Sequence, residues 1–494
     1  MKIAPALPKR INLAIALLLG SVLMLGACRA ATRLDRPSDE SVTTPTATKN
    51  SSLNPGGSPR IPKTTPLVSP TSLPVSNLEI NPEALDGSVV DYWHVWQGEA
   101  QRLTDALVSE FNAANPWGIR VQASYIGDFD ALSSQLLQAA QNGELPEIAV
   151  AYDHQALDWD AEENILVDLS NYINDPLWGL SPEEQADFYL VFWDHFATDD
   201  LRLGVPALRS GQMLYYNTSW ARELGFTSPP NTIAEFKEQA CAAGRANLDD
   251  DASENDKTGG WIISTHPSTI LGWLYAFGAP VSRPDRRGYR FDTAEVRNTF
   301  GFLRQLYEEG CAWLPEGQSS EAEFAQRLGL FVAGSLSSIP YQEAALKSAD
   351  NADDWTVIPF PRGDGSPAID VYGPNLVILK SSPEKQLASW LFIKWLLKPE
   401  NQSRWALTTS SFPLQKSLSE SMSKGKTGTA QWRTALDLLR YAQPEPQYRS
   451  WNVVRWALGD ATTQLFRWYF TLEQLPDTVS LLDRTAAELH SRAP

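Results

Sequence analysis

From Ser88 onward, apolar and polar positions fall into short blocks of two different periods. Val89-Val90-Asp91-Tyr92-Trp93 predicts a strand, and after a turn Leu103, Leu107, Val108 and Phe111 recur at helical spacing until Asn115-Pro116 stops the helix. Arg120 to Tyr125 predicts a second strand, which leads through Gly127-Asp128-Phe129 into an amphipathic helix carrying Leu132, Leu136 and Leu137. Glu147 to Tyr152 predicts a third strand, apolar enough to be buried. Strand, helix, strand, helix, strand with short connections specifies a parallel sheet covered by helices, and so an α/β fold.

Beyond Asp168 the pattern turns mainly helical, with extended segments at Leu203 to Pro206 and at Met213 to Asn217. Helices are predicted around Ile233 to Ala243, Thr293 to Glu309, Ala322 to Phe331 and Pro383 to Leu397. Trp355 to Pro359 and Leu376 to Leu379 read as strands returning to a sheet, and no internal repeat interrupts the sequence.

The part before Ser88 follows other rules. Lys2, Lys9 and Arg10 precede an apolar run from Ile11 to Ala27, the order of a secretory signal whose run is at the lower limit for spanning a bilayer. Leu25-Gly26-Ala27-Cys28 resembles the bacterial lipoprotein box, which implies cleavage after residue 27 and a lipid on Cys28. Each buried CH₂ of such a lipid contributes roughly 0.8 kcal/mol, so two or more acyl chains hold a protein on a membrane without a transmembrane helix. Residues 28–82 are rich in Ser, Thr, Pro, Asn and Gly and poor in aromatics, a composition that buries too little apolar surface to fold and reads as a disordered tether.

Charge and cysteine content narrow the class of function. The 494 residues carry a formal net charge of -18, and removal of the three basic leader residues makes the mature chain more negative still. Such a body repels nucleic acid and anionic headgroups. With Cys28 assigned to lipid, Cys241 and Cys311 remain, either as a disulfide or with Cys241 as a small buried residue in the helical run Glu235 to Arg245. The five histidines are scattered and no CxxC or HExxH spacing occurs, so no metal and no cofactor are expected.

Candidate binding chemistry sits at strand ends, where open α/β sheets place ligands. The first strand delivers Trp93, His94 and Trp96 to a turn before a helix that begins near Gly98-Glu99, aromatic and polar groups together. The apolar face of a sugar ring packs on such aromatic planes while its hydroxyls take hydrogen bonds. Asp153 ends the third strand, where its carboxylate serves either two sugar hydroxyls or a helix cap.

The segments YWHVWQGEAQRLTDALVSEFNAANP and GIRVQASYIGDFDALSSQLLQAAQNGELPEIAVAYD, then VPALRSGQMLYYN, FVAGSLSSIP and VYGPNLVILKSSPEKQLASWLFIKWLLKPENQSRW, together resemble extracellular solute-binding proteins of ABC transporters, in the sugar and glycerol-3-phosphate group. The resemblance spans nearly everything from Ser88 to the end. It implies a two-lobed α/β fold with a hinge and an interlobe ligand cleft, the first lobe from 86–204 plus 355–400 and the second from 205–354 plus 401–494. Carried over by position, ligand contacts fall on Phe129, Asp153, Ser210 and Gly373, with Arg455 or its rival Arg449 near the end. His94 and Glu99 join them from the first strand's turn.

Two departures bear on the ligand. Where glycerol-3-phosphate binders carry paired tryptophans, this chain has Thr265-His266-Pro267-Ser268, with Trp273 arriving later. Where the family usually has Gly-Tyr-x-Pro, it has Ser410-Ser411-Phe412-Pro413. A neutral mono- or oligosaccharide is therefore expected, contacted by Thr265, His266 and Ser268 and stacked on Trp273 and Tyr372. The implied protein is a monomeric, lipid-anchored, extracytoplasmic component that delivers its sugar to a membrane permease and performs no catalysis. A surface glycoside hydrolase or lyase is the alternative, but it needs two carboxylates roughly 5 to 9.5 Å apart. Asp153 is one candidate, no second acid occupies a comparable strand end, and no GxSxG elbow is present. A receptor presenting its ligand to a sensor protein would use the same cleft.

Overall fold

The computed structural model describes residues 75–197, 201–315, 317 and 319–493. The leader, Cys28 and the tether as far as residue 74 lie outside these residues. From Val75 on the chain is folded, which shortens the expected tether at its distal end. Ser76 Oγ and the Asn77 N–H both donate to Asp175 Oδ2, at 2.9 and 2.8 Å, while Leu78 and Ile80 pack on the core.

Among the described residues twelve strands build two sheets: β1 (Val89–His94), β2 (Arg120–Tyr125), β3 (Ile148–Ala151), β4 (Val205–Pro206), β5 (Ser210–Asn217), β6 (Gly259–Ile262), β7 (Ala312–Trp313), β8 (Gly329–Ser335), β9 (Trp355–Ile358), β10 (Ile369–Tyr372), β11 (Asn375–Ile378) and β12 (Ala442–Pro444). The first sheet runs β2-β1-β3-β11-β4, with β1 parallel to β2 and β3 and with β11 antiparallel to β3 and β4. The second runs β12-β10-β5-β8-β6-β7, with β9 also paired to β5.

The α/β class and the two lobes are as expected, but the lobes divide elsewhere. β9 and β10 belong to the second sheet, so the first lobe regains the chain at Asn375 and not at residue 355. Their apolar runs fit either sheet, and pairing with β5 decides. The expected helix Ala322 to Phe331 also divides: a helix Ser320–Ala325 gives way to β8 at Gly329. Arg327, at φ +59°, turns the chain between them.

Local signals set the other elements. Thr232 and Glu235 form a reciprocal cap at the start of the helix Ile233–Asp249, and Ser382 caps a helix that opens with Pro383. Ser410 ends the helix Pro399–Thr409 at φ +49°, the left-handed position that glycine favours. Cys241 and Cys311 are joined by a disulfide that ties the helix Ile233–Asp249 to the residue before β7. Among the described residues no helix is long and apolar enough to cross a membrane.

Candidate functional site

Two short passages connect the sheets, Ala207 to Arg209 between β4 and β5, and Gly373-Pro374 between β10 and β11. They touch: the N–H groups of Ala207 and Leu208 donate to the Pro374 carbonyl at 3.0 and 3.4 Å. Gly373, at φ +153°, is required here, because a Cβ on it would stand 2.1 Å from the Leu208 carbonyl oxygen. Arg209 is 1 % exposed and lies across both passages. One of its terminal nitrogens donates to the carbonyls of Leu208, Gly373 and Pro374 at 2.9, 3.0 and 2.8 Å, and the other to Asn375 Oδ1 at 2.6 Å and Phe192 O at 3.5 Å.

Asn375 passes this contact to the first lobe, its Nδ2 donating to Asp153 Oδ1 at 2.5 Å. His195 Nδ1 approaches the other Asp153 oxygen at 2.9 Å, off the hydrogen-bonding direction. Burial acts to raise the Asp153 carboxyl, but His195, Arg209 and Asn375 together hold it below the usual range. Arg209 in turn is drawn down by burial to about 10, so it stays cationic at neutral pH.

The first-lobe wall is aromatic. Asp128 caps the helix Phe129–Asn142 and so fixes Phe129, whose ring lies 4.7 Å from that of Tyr152. Tyr152 in turn stacks on His154, 5.8 Å away at 10°. Burial, then Arg455, lowers the His154 pKa, so its imidazole is neutral at pH 7. Arg455 belongs to the second lobe, so its charge is felt across the groove at the first-lobe wall.

On the second lobe, β5 and β10 pair Ser210 with Tyr372 and Gln212 with Asp370. Ser210 Oγ is buried without a partner, and the Tyr372 hydroxyl donates weakly to Gln212 Oε1 at 3.4 Å. Glu445, just after β12, accepts from Ser268 Oγ at 2.9 Å and from Trp451 Nε1 at 2.7 Å, with Arg455 3.6 Å away. Asp370 is wholly buried beside it and neither of its oxygens has a hydrogen-bond partner. Burial, then the Glu445 charge, pushes the Asp370 carboxyl well above the usual range. His266 caps the helix Pro267–Ala276 and meets Trp456 edge to face at 6.1 Å, and Trp456 is 54 % exposed.

A groove of about 560 Å³ opens between the lobes. Leu157, Asp194 and His195 line one side, and Glu445, Tyr448 and Arg449 the other. Arg449 bridges the walls, ion-paired to Asp158 and, at 3.2 Å, to Glu162 of the helix Asp153–Glu163. The Phe196 N–H donates to Gln447 Oε1 at 3.2 Å.

Of the residues singled out in the sequence, Phe129, Asp153, Ser210, His266, Ser268, Tyr372, Gly373 and Arg455 gather at the passages and the two facing walls. Arg455 faces this cluster, whereas Arg449 spends its charge on the bridge. Trp273 does not take part: it is fully buried among Phe236, Trp261 and Phe360, because the run Pro267 to Ala276 is apolar on every side and forms a core helix. Glu99 is exposed and pairs with Arg102, one turn along its own helix. His94 is buried between Tyr92 and Tyr125, accepts the Trp96 N–H, and is held neutral by a pKa of about 4 that burial produces. Thr265 accepts from Thr463 at 3.1 Å. Sequence reasoning passed over Arg209, His195, Asn375, Glu445 and Trp456. Only Trp456 carried a signal, as the aromatic neighbour of Arg455.

A family model for bacterial extracellular solute-binding proteins matches residues 106–434. The chain belongs to this family. Among solved structures, the solute-binding protein resembles the sugar-binding protein MalE from Xanthomonas citri, with 22% identity, a TM-score of 0.69, and 82% of this chain and 98% of that one covered. The cyclic alpha-maltosyl-1,6-maltose binding protein from Arthrobacter globiformis gives 18% identity and 0.68 over 82% and 99%. The Listeria monocytogenes substrate-binding protein solved with cycloalternan gives 18% identity and 0.63 over 81% and 99%. These likenesses establish the fold of the solute-binding protein. No curated protein sequence matches it significantly.

Proposed function

We propose that this solute-binding protein captures a carbohydrate between its lobes and delivers it unaltered to an ABC permease. The observation that carries the reading is the interlobe groove of about 560 Å³, walled by polar side chains from both lobes, which falls in the size range of small-molecule sites. A saccharide needs many hydrogen-bond partners and a flat apolar face. His195, Glu445 and Tyr448 supply the first in the groove; Tyr152, His154, His266, Tyr372 and Arg455 supply more beside it, with Ser210 Oγ unpartnered at the passages. Trp456 supplies the face, in place of Trp273. Proteins of the same fold solved with maltotriose and cycloalternan support the class of ligand.

The chain works as a monomer on the outer side of a membrane, held there by lipid on Cys28 after removal of residues 1–27. Closure of the lobes is the signal a permease reads, so binding must favour the closed form over the open one. Asp153, the strand-end acid that a hydrolase would use, is engaged by Asn375 and His195.

A thermal-shift series on the full chain with glucose, maltose, maltotriose, sucrose and glycerol-3-phosphate tests the reading, because a ligand that binds only the folded state raises its melting temperature. At least one neutral saccharide is expected to raise it, with no new reducing ends released. A rise with glycerol-3-phosphate alone, or turnover of any glycan, overturns the reading.

A further inference from the structure

We propose that Arg209 is the positioning residue of the hinge: it clamps the two passages between the lobes into one unit and, through Asn375, ties that unit to Asp153. The proposal rests on the reading of a cleft that closes on its ligand. Its grounds are geometric. Arg209 reaches the carbonyls of Leu208 on the first passage and of Gly373 and Pro374 on the second from a single nitrogen. Its other nitrogen meets Asn375 Oδ1, and Asn375 Nδ2 meets Asp153 Oδ1.

The segment that follows the helix Pro399–Thr409 reaches the same residue. There the Phe412 N–H donates to the Arg209 carbonyl at 2.8 Å. A planar guanidinium suits this place because its donors point in fixed, diverging directions and its charge does not switch off at neutral pH. A movement of either passage must break bonds to Arg209, and a change at Asp153 alters the partner that fixes Asn375. The state of the cleft at Asp153 and the geometry of the hinge are then one mechanical system.

Hydrogen exchange of the full chain without ligand reads the clamp. Arg209→Lys replaces a fork with a single ammonium, and the amides of Ala207 and Leu208, which donate to Pro374, should exchange about tenfold faster while those of β6 and β8 stay as they were. Asp153→Asn should loosen the same amides about threefold, and the double variant should be no looser than Arg209→Lys alone. Unchanged exchange in Arg209→Lys overturns the clamp, and effects that multiply in the double variant overturn the tie to Asp153. Asn375→Ala leaves the carbonyl bonds of Arg209 in place; should the buried lysine prevent folding, this variant is expected to reproduce the Asp153→Asn pattern, and unaltered hinge amides in it overturn the tie.

Maltotriose, added to the unaltered protein, should slow these amides at least about threefold, and this slowing should vanish in Asn375→Ala even where binding persists. Retention of the slowing in that variant overturns the coupling. If maltotriose neither binds nor slows exchange, the carbohydrate reading loses that probe, while the ligand-free variants still decide the clamp.

Discussion

Asp153 and Asp370 are both buried at the junction of the lobes, and they are held in opposite states. Asp153 receives an amide donor from Asn375, the His195 ring and the field of Arg209, and its carboxyl is kept below the ordinary range. Asp370 has no hydrogen-bond partner and an acid beside it, and its carboxyl is pushed well above that range. Burial alone raises both; counter-charge and donors decide which one is pulled back below the ordinary range. The first lobe thus offers the junction a negative charge locked to Arg209 through Asn375, whereas the second offers an acid whose ionisation burial and the neighbouring Glu445 oppose.

Removing a partner on the first-lobe side should have the largest effect. Asp153→Ala leaves the Arg209 charge buried beside an empty place, and urea unfolding should register a loss of about 3–5 kcal/mol.

On the second-lobe side, Trp451→Phe keeps an aromatic ring but takes the N–H from Glu445 and leaves part of the buried indole's space unfilled. A loss of about 1.5–3 kcal/mol is expected, the range for a hydrogen bond to a charged group.

Asp370→Asn should act with the opposite sign. Because native Asp370 keeps its proton to higher pH than the unfolded chain does, the native state binds more protons, and stability declines as pH rises above the ordinary carboxyl value of 3.8. The variant lacks this term. Its melting temperature should exceed that of the unaltered protein at about pH 8 and fall less between about pH 5 and 8; a steeper fall would break the contrast between the two acids.

Trp456→Ala, at the exposed rim, should move folding by less than about 0.5 kcal/mol and yet weaken saccharide affinity about tenfold by titration calorimetry. Arg449→Ala removes half-exposed ion pairs across the groove and should cost at most about 1 kcal/mol of stability.

The α/β class and most elements were legible in residue periodicity, because each strand and helix buries a face of its own. Lobe membership was not. Trp355 to Ile358 looks like a strand in any sheet, and only its pairing with β5 places it in the second lobe. Trp273 misled for a related reason: an aromatic close to the expected site counts only if its surroundings leave it exposed, and the apolar residues flanking it closed them off. Asp153 and Gly373 were found by position, and both stand in the hydrogen-bond network of Arg209. Arg209 was invisible because a lone arginine in VPALRSG carries no mark of the four acceptors that other parts of the chain bring to it.

The bond between Cys241 and Cys311 spans 70 residues, all of them in the second lobe. Cross-linking a loop of that length lowers the entropy of the unstructured chain by an amount equivalent to roughly 4 kcal/mol. The first lobe has no such staple among the described residues, so a reducing agent should weaken one jaw and spare the other. Protein prepared with free thiols would then bind through a softened partner, and its affinities would understate those of the oxidised molecule.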